Sequence, residues 1–440
     1  LSYTSRGWHT SGGAIDTAGP KDIDDFSRVI DWLIANAPVD PERIGAAGIS
    51  YGSGISLIGA AHDERIKAVA ALSTWGSLVE ALYAQQTPRL VWGTLLTETA
   101  PIFGNPDPHI DSLWNSVLTH SNIEMVTAWA MQRSPIRYVD RLNANGTAVY
   151  FAKNWGDDMF QPNSILDMYS RLTGPKHIDL QAGTHASTEI FGMIGSGDTR
   201  IWNNTHRWFD KHLKGLPTAI DDQLPVQMKV KMTDRYEGFA DWPVPNARQA
   251  RWYLHPRSTF SPGELEDTPW QGRSPVENTL SSWADTLAST GIPLAAQVFE
   301  QIKVPVTAPI LLLGRDRSTW FQTDRLSQPM KIRGIPTLKL QVTPQHDKAQ
   351  LVAYLYDMNA LGVGTLISHA PITVPQATPG KPLTLDIHLV ATAYDVPKGN
   401  RLVLVVDTQD PLYKKVSNGT LRVDVDFSKE RASVLEVPVL

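Results

Sequence analysis

The sequence predicts an α/β core, split by a helical insertion and followed by a large all-β region. Three observations carry that prediction. Strand and helix patterns alternate over the first 75 residues, they resume at residue 148 after an interval without strand signals, and period-two alternation dominates after Pro217. A chain of 440 residues is too long for one compact core and calls for two or three domains.

The elements follow in order. Ile23, Phe26, Val29, Ile30 and Leu33 recur at three- and four-residue spacing after the turn Gly19-Pro20, which predicts an amphipathic helix. The short apolar run Ile44–Gly48 reads as a buried strand, Ile55, Leu57 and Ile58 as a buried helix, and Ile66–Leu72 as a second strand. These form the first part of the core, residues 1–77. Residues 78–147 carry aromatic-rich helical stretches around Leu90–Leu96, Leu113–Leu118 and Glu124–Met131, and read as a cap. Its Trp92, Trp114 and Trp129 either form the cap's own core or line a substrate pocket.

The core resumes over residues 148–217. Ala148–Ala152 and Ile178–Ala182 read as strands, Ile165–Leu172 as a helix, and Trp202, Phe209 and Leu213 as one face of a helix ending at Lys214-Gly215. Pro217–Leu224 reads as a linker. From residue 222 to 440, Val226–Met232, Leu338–Val342 and Leu383–Leu389 alternate with period two. Pro397–Asn400 and Ser417–Thr420 are turn sequences, the second a two-residue hairpin signal. Many short strands with frequent turns predict a jelly-roll sandwich.

Composition narrows the function. Hydrophobic residues make up 42% of the chain and the net charge is −5, so it is neither disordered nor basic enough to attract nucleic acid. No apolar run reaches the roughly 18 residues of a membrane span. The absence of cysteine excludes disulfides, thiolate metal sites and a cysteine nucleophile, and leaves a cytoplasmic and an exported location equally open. No metal-ligand spacing such as HExxH is present, so neither metal nor cofactor is expected.

The sharpest local signal is Gly48-Ile49-Ser50-Tyr51-Gly52. A G-x-S-x-G pentapeptide arises by chance in roughly one chain in seven of this length, so its setting matters more than its letters. A buried strand precedes it and an apolar helix follows. That is the strand-to-helix elbow that lifts a serine hydroxyl above a sheet, with the Tyr51 N–H placed to receive an oxyanion. A serine hydroxyl needs a base, and the base needs an orienting carboxylate, in the order Ser, acid, His. Of 12 histidines, His185 stands at the carboxyl end of a predicted strand, the edge where ligands gather. His177 enters that strand from the wrong end. Asp157 and Asp158 both follow the preceding strand, and spacing leaves the choice between them open.

With these residues in view, the chain resembles the α/β-hydrolases of the X-prolyl dipeptidyl-peptidase and cocaine-esterase (CocE/NonD) type. Arg6–Gly13 is similar to their Arg-Gly-x-x-x-Ser-Gly-Gly stretch, Gly48–Gly52 to their nucleophile elbow, and Gly183-Thr-His185 to their histidine segment. Trp155-Gly-Asp157 is similar to their Trp-x-Asp acid motif, which selects Asp157 over Asp158. The resemblance implies an α/β-hydrolase core, an inserted helical cap and a C-terminal jelly roll. It also implies strands ahead of Arg6, so an N-terminal segment or a second chain is expected to complete the sheet and to bring a second oxyanion donor.

The expected activity is a serine hydrolase acting on esters or amides, X-Pro peptides included, through Ser50, Asp157 and His185. An N-terminal ammonium group would need acidic partners, for which the cap offers Glu80, Glu98, Asp111 and Glu124. The expected partners are a small ester, amide or short peptide, and further copies of the chain in a homo-oligomer. A second reading is a non-catalytic module binding carbohydrate or protein through the β-sandwich, with Trp242, Trp252 and Trp270 as its exposed aromatics.

Overall fold

The computed structural model describes residues 1–272 and 276–440, which divide into two compact units. Leu1–Leu82, Trp92–Lys229 and Asp234–Pro245 form the first; Tyr83–Val91, Val230–Thr233 and Asn246–Leu440 form the second.

The first unit is built on a six-stranded sheet. Its strands are β1 (Ile44–Ile49), β2 (Ile66–Leu72), β3 (Ala148–Asn154), β4 (Lys176–Gln181), β5 (Val226–Lys229) and β6 (Tyr236–Phe239), in that spatial order. All neighbours are parallel except β5 and β6. Its helices are α1 (Pro20–Asn36), α2 (Tyr51–His62), α3 (Leu78–Tyr83), α4 (Leu90–Phe103), α5 (His109–Thr119), α6 (Ile123–Gln132), α7 (Val139–Asn145), α8 (Pro162–Arg171), α9 (Ser187–Met193) and α10 (Arg200–Lys214). Residues 104–147 contain no strand of the sheet, in keeping with a helical insertion between β2 and β3.

Side chains decide the layers. Ala68, Ala70 and Leu72 of β2 join Tyr150 of β3 and Ile201 and Trp208 of α10 in one core. Val69 and Ala71 point the other way and are equally buried, so the sheet is covered on both faces. The register sets the carboxyl ends of β1 to β4 level: Ile49 lies opposite Leu72, Leu72 opposite Ala152, and Asn154 opposite Gln181. Among the described residues β1 pairs only with β2, and its outer side, with Phe26, Leu33 and Ile55, lines a groove of about 270 Å³.

The second unit is an all-β sandwich. Ala349–Met358 lies between the antiparallel strands Val363–Val374 and Arg401–Asp407, and Thr337–Pro344 pairs with Leu383–His388. Phe321, Leu338, Leu340, Leu351, Leu404 and Val425 are wholly buried in its core.

Several sequence expectations change here. Val226–Met232 was expected in the sandwich, yet Val226–Lys229 extends the first sheet beside β4. Alternation specifies a strand and one buried face, not which sheet takes it. Residues 83–91, expected in the cap, group with the second unit, where Thr87 Oγ1 lies 2.8 Å from Thr373 Oγ1. Ser417–Thr420 closes no hairpin, because Arg401–Asp407 and Arg422–Phe427 are not paired with each other. Trp242 is buried, and Trp252 and Trp270 are half-buried against the sandwich core, so the aromatics that favoured a binding module are packing residues.

Candidate active site

The elbow is local chemistry first. The Ser50 N–H donates to Leu72 O (2.9 Å), tying the end of β1 to β2, and Ser50 O then accepts the N–H groups of Ser53 and Gly54 to open α2. Ser50 sits between them at φ 53° and ψ −115°, a strained backbone for a residue with a side chain. Gly48 allows the chain to double back, because a Cβ there would lie 2.2 Å from the Gly52 carbonyl carbon. A Cβ at Gly52 would meet open space, so the last glycine of the pentapeptide has no steric duty. Tyr51 is the first residue of α2, where N–H groups have no acceptor within the helix.

The loops after β3 and β4 bring two more side chains to this point. His185 Nε2 lies 2.8 Å from Ser50 Oγ, and His185 Nδ1 lies 3.0 Å from Asp157 Oδ2. Asp157 Oδ1 accepts the backbone N–H groups of Met159 (3.1 Å) and Phe160 (2.8 Å). Burial pushes the Asp157 carboxyl upward, and the positive charges of Lys153 and His185 more than reverse this, holding it at about 2. Asp158 is buried next to it in the chain, and it is the Asp157 carboxylate that meets the histidine. The edges of Phe160 and Trp92 wall the imidazole, with ring centroids 4.9 Å and 6.0 Å away. An imidazole between an alcohol and a fully hydrogen-bonded carboxylate can take the alcohol's proton and be stabilised as the imidazolium.

Of the other sequence-predicted residues, Trp114 packs over Gly93 of α4, and Trp129 lies beneath Arg133, whose guanidinium carbon stands 4.0 Å from its ring centroid. Trp129 and Arg133 line a cavity of about 270 Å³ with Asp16, Asp107 and His109. Glu80, Glu98, Asp111 and Glu124 are all exposed, and none of them lines that cavity. His177 is buried against Tyr150 and Trp208, away from the elbow by its place at the start of β4, and burial lowers its basicity. The stretch Arg6–Gly13 reaches the elbow through Trp8, whose ring meets the edge of Tyr51 at 5.6 Å.

Three supports escaped the sequence. Glu189 of α9 is wholly buried and accepts from Ser73 Oγ (2.8 Å), Asn154 Nδ2 (3.2 Å) and Thr188 Oγ1 (2.9 Å). Ser73 Oγ in turn accepts the Ala186 N–H (3.1 Å), and Asn154 Nδ2 donates to Thr184 O (2.9 Å), so the carboxyl group clamps both sides of His185. On the other side of the elbow, Tyr51 Oη donates to Asp22 Oδ2 (2.7 Å), and burial pushes that carboxyl up to about 6. The third is Lys153, buried beside Asp157. A lysine inside an apolar run is the signal that could have found Lys153, whereas Glu189, which follows Ser187-Thr188, carries no such signal.

The family model of the X-Pro dipeptidyl-peptidase (S15 family) matches residues 1–187, and that of the X-Pro dipeptidyl-peptidase C-terminal non-catalytic domain matches residues 218–436. The chain belongs to the X-Pro dipeptidyl-peptidase family. A solved CocE/NonD family hydrolase from Staphylococcus aureus covers 99% of this S15-family chain and is itself covered to 79%, with a TM-score of 0.77 at 12% identity. At that identity the likeness shows the fold: an α/β-hydrolase core with a cap and a C-terminal β domain. A Mycobacterium bovis protein provisionally named a serine esterase is 20% identical over 370 residues, covering 77% of this chain. The cocaine esterase of a Rhodococcus species is 23% identical over 261 residues, covering 56% of this chain and 45% of its own length. The chain spans only 56% of the length of the Mycobacterium relative.

Proposed function

We propose that this family member is a serine hydrolase that cleaves ester or amide bonds, X-Pro peptides among the candidates, through an acyl-enzyme. The single observation that carries the reading is the His185 ring, whose two nitrogens lie 2.8 Å from Ser50 Oγ and 3.0 Å from Asp157 Oδ2. In the first step Ser50 Oγ attacks the carbonyl carbon while its proton passes to His185 Nε2. Asp157 accepts the His185 Nδ1 proton in a hydrogen bond, which fixes the tautomer and stabilises the imidazolium. The oxyanion receives the Tyr51 N–H at the positive end of α2. His185 then hands its proton to the leaving alcohol or amine, and water repeats the sequence on the acyl-enzyme.

A fluorophosphonate probe tests the reading directly. Labelling is expected in the native protein and is expected to vanish in Ser50→Ala, together with hydrolysis of p-nitrophenyl esters. A folded native protein that neither labels nor hydrolyses any of a panel of short acyl esters and X-Pro p-nitroanilides sinks it. The same panel separates esterase from peptidase preference. We also infer that the free edge of β1 is where a completing segment or second chain would add a strand, since its backbone groups there are unpaired within the described sheet.

A further inference from the structure

The strand Ala148-Val-Tyr-Phe-Ala-Lys-Asn154 is wholly buried, and a lysine stands sixth in it. Its ammonium does not reach solvent. Lys153 Nζ lies 2.5 Å from Asp157 Oδ2 and 2.9 Å from Thr74 O, with the Phe160 ring centroid 5.6 Å away. Oδ2 is the same oxygen that faces His185 Nδ1. Two cationic or potentially cationic groups therefore share one carboxylate oxygen, while Oδ1 is taken by two backbone N–H groups. An ammonium at this distance offsets much of the carboxylate charge that an imidazolium would otherwise feel.

We propose that Lys153 is a positioning residue that keeps Asp157 ionised and screens its charge from His185, thereby setting the pH above which His185 can serve as a base. The catalytic consequence rests on the hydrolase reading; the charge coupling does not. Burial alone would push Asp157 upward, and the charge of Lys153, together with that of His185, holds it at about 2 instead. The other groups around this centre come from each neighbouring element. Asp158 shares the loop after β3, Glu189 of α9 reaches the histidine loop through Ser73 and Asn154, and Asp22 of α1 bonds Tyr51 beyond the elbow. Lys153 and His185 both face Asp157 Oδ2 directly, at 2.5 Å and 3.0 Å.

The test reads His185 itself. In protein carrying ¹³C-labelled histidine, the His185 ring resonance is assigned by its loss in His185→Gln and followed through a pH titration. In Lys153→Met the midpoint is expected to rise by about one pH unit or more, since a like charge is removed and the carboxylate is unmasked. The acid limb of kcat/KM for a p-nitrophenyl ester should move upward with it, and Lys153→Arg should restore both. An unchanged midpoint in folded Lys153→Met overturns the proposal. Should that variant fail to fold, Lys153→Gln replaces it, removing the charge while keeping a polar donor for Thr74 O. A higher midpoint in Lys153→Gln supports the proposal, and an unchanged one overturns it. Absence of ester turnover and of probe labelling in the native protein would sink the hydrolase reading and leave the titration to judge Lys153.

Discussion

β1 and β3 belong to one sheet and each delivers one residue to the same point, yet they do so by different means. β3 is buried along its whole length between two neighbours, and the loops around it are held by side-chain hydrogen bonds that never meet water. β1 is half-exposed, with a single neighbour among the described residues, and Ser50 is held by backbone strain and by the close approach of Gly48 to the next turn. The side of Asp157 and His185 is thus held through polar satisfaction, the side of Ser50 through sterics. The two fail differently: a buried polar network fails when one donor or acceptor is removed, a strained turn when one atom is added.

The largest expected effect tests the buried side. Asp157→Asn should lower kcat by about 10⁴-fold by losing the charge and tautomer control on His185. Asp158→Asn should cost less than tenfold; a greater loss at Asp158 in steady-state kinetics would reverse the assignment of the acid.

Glu189→Gln sharpens the same side at a distance from the chemistry. It turns one carboxylate oxygen into an amide that faces donors, so urea melts should show a loss of about 2 to 3 kcal/mol, with slower turnover as the His185 loop loosens. Unchanged stability would mean that the clamp on Ser73 and Asn154 is not what holds the loop.

The smallest effects belong to the elbow glycines, and they should differ in sign. Gly48→Ala must displace the Gly52 backbone and should destabilise the fold. Gly52→Ala enters open space in the first turn of α2 and should be neutral or stabilising by up to about 1 kcal/mol. Thermal melts of the two variants settle the contrast, and equal losses would show that both glycines serve the turn.

Much of this was legible in advance. Alternating apolar runs gave β1 to β4 and their helices, since a buried parallel strand must be apolar on both faces. Ser50, Asp157 and His185 stood out because each follows such a strand at its carboxyl end. Asp157 was separated from Asp158 only by resemblance, because two neighbours on a loop have the same spacing to everything else. Lys153 is marked only by its charge in an apolar run and Glu189 by nothing local, and their partners lie up to 116 residues away in the chain.

The sequence by itself determined the local conformations, from the helix after Gly19-Pro20 to the elbow at Ser50, because capping, periodicity and steric bulk act within a few residues. Only the tertiary structure decided which sheet received Val226–Lys229, which aspartate met the histidine, and which charges shared its oxygen. Those outcomes depend on burial and on distances between remote segments, and the energy of a charge is set by what surrounds it rather than by its neighbours in the chain.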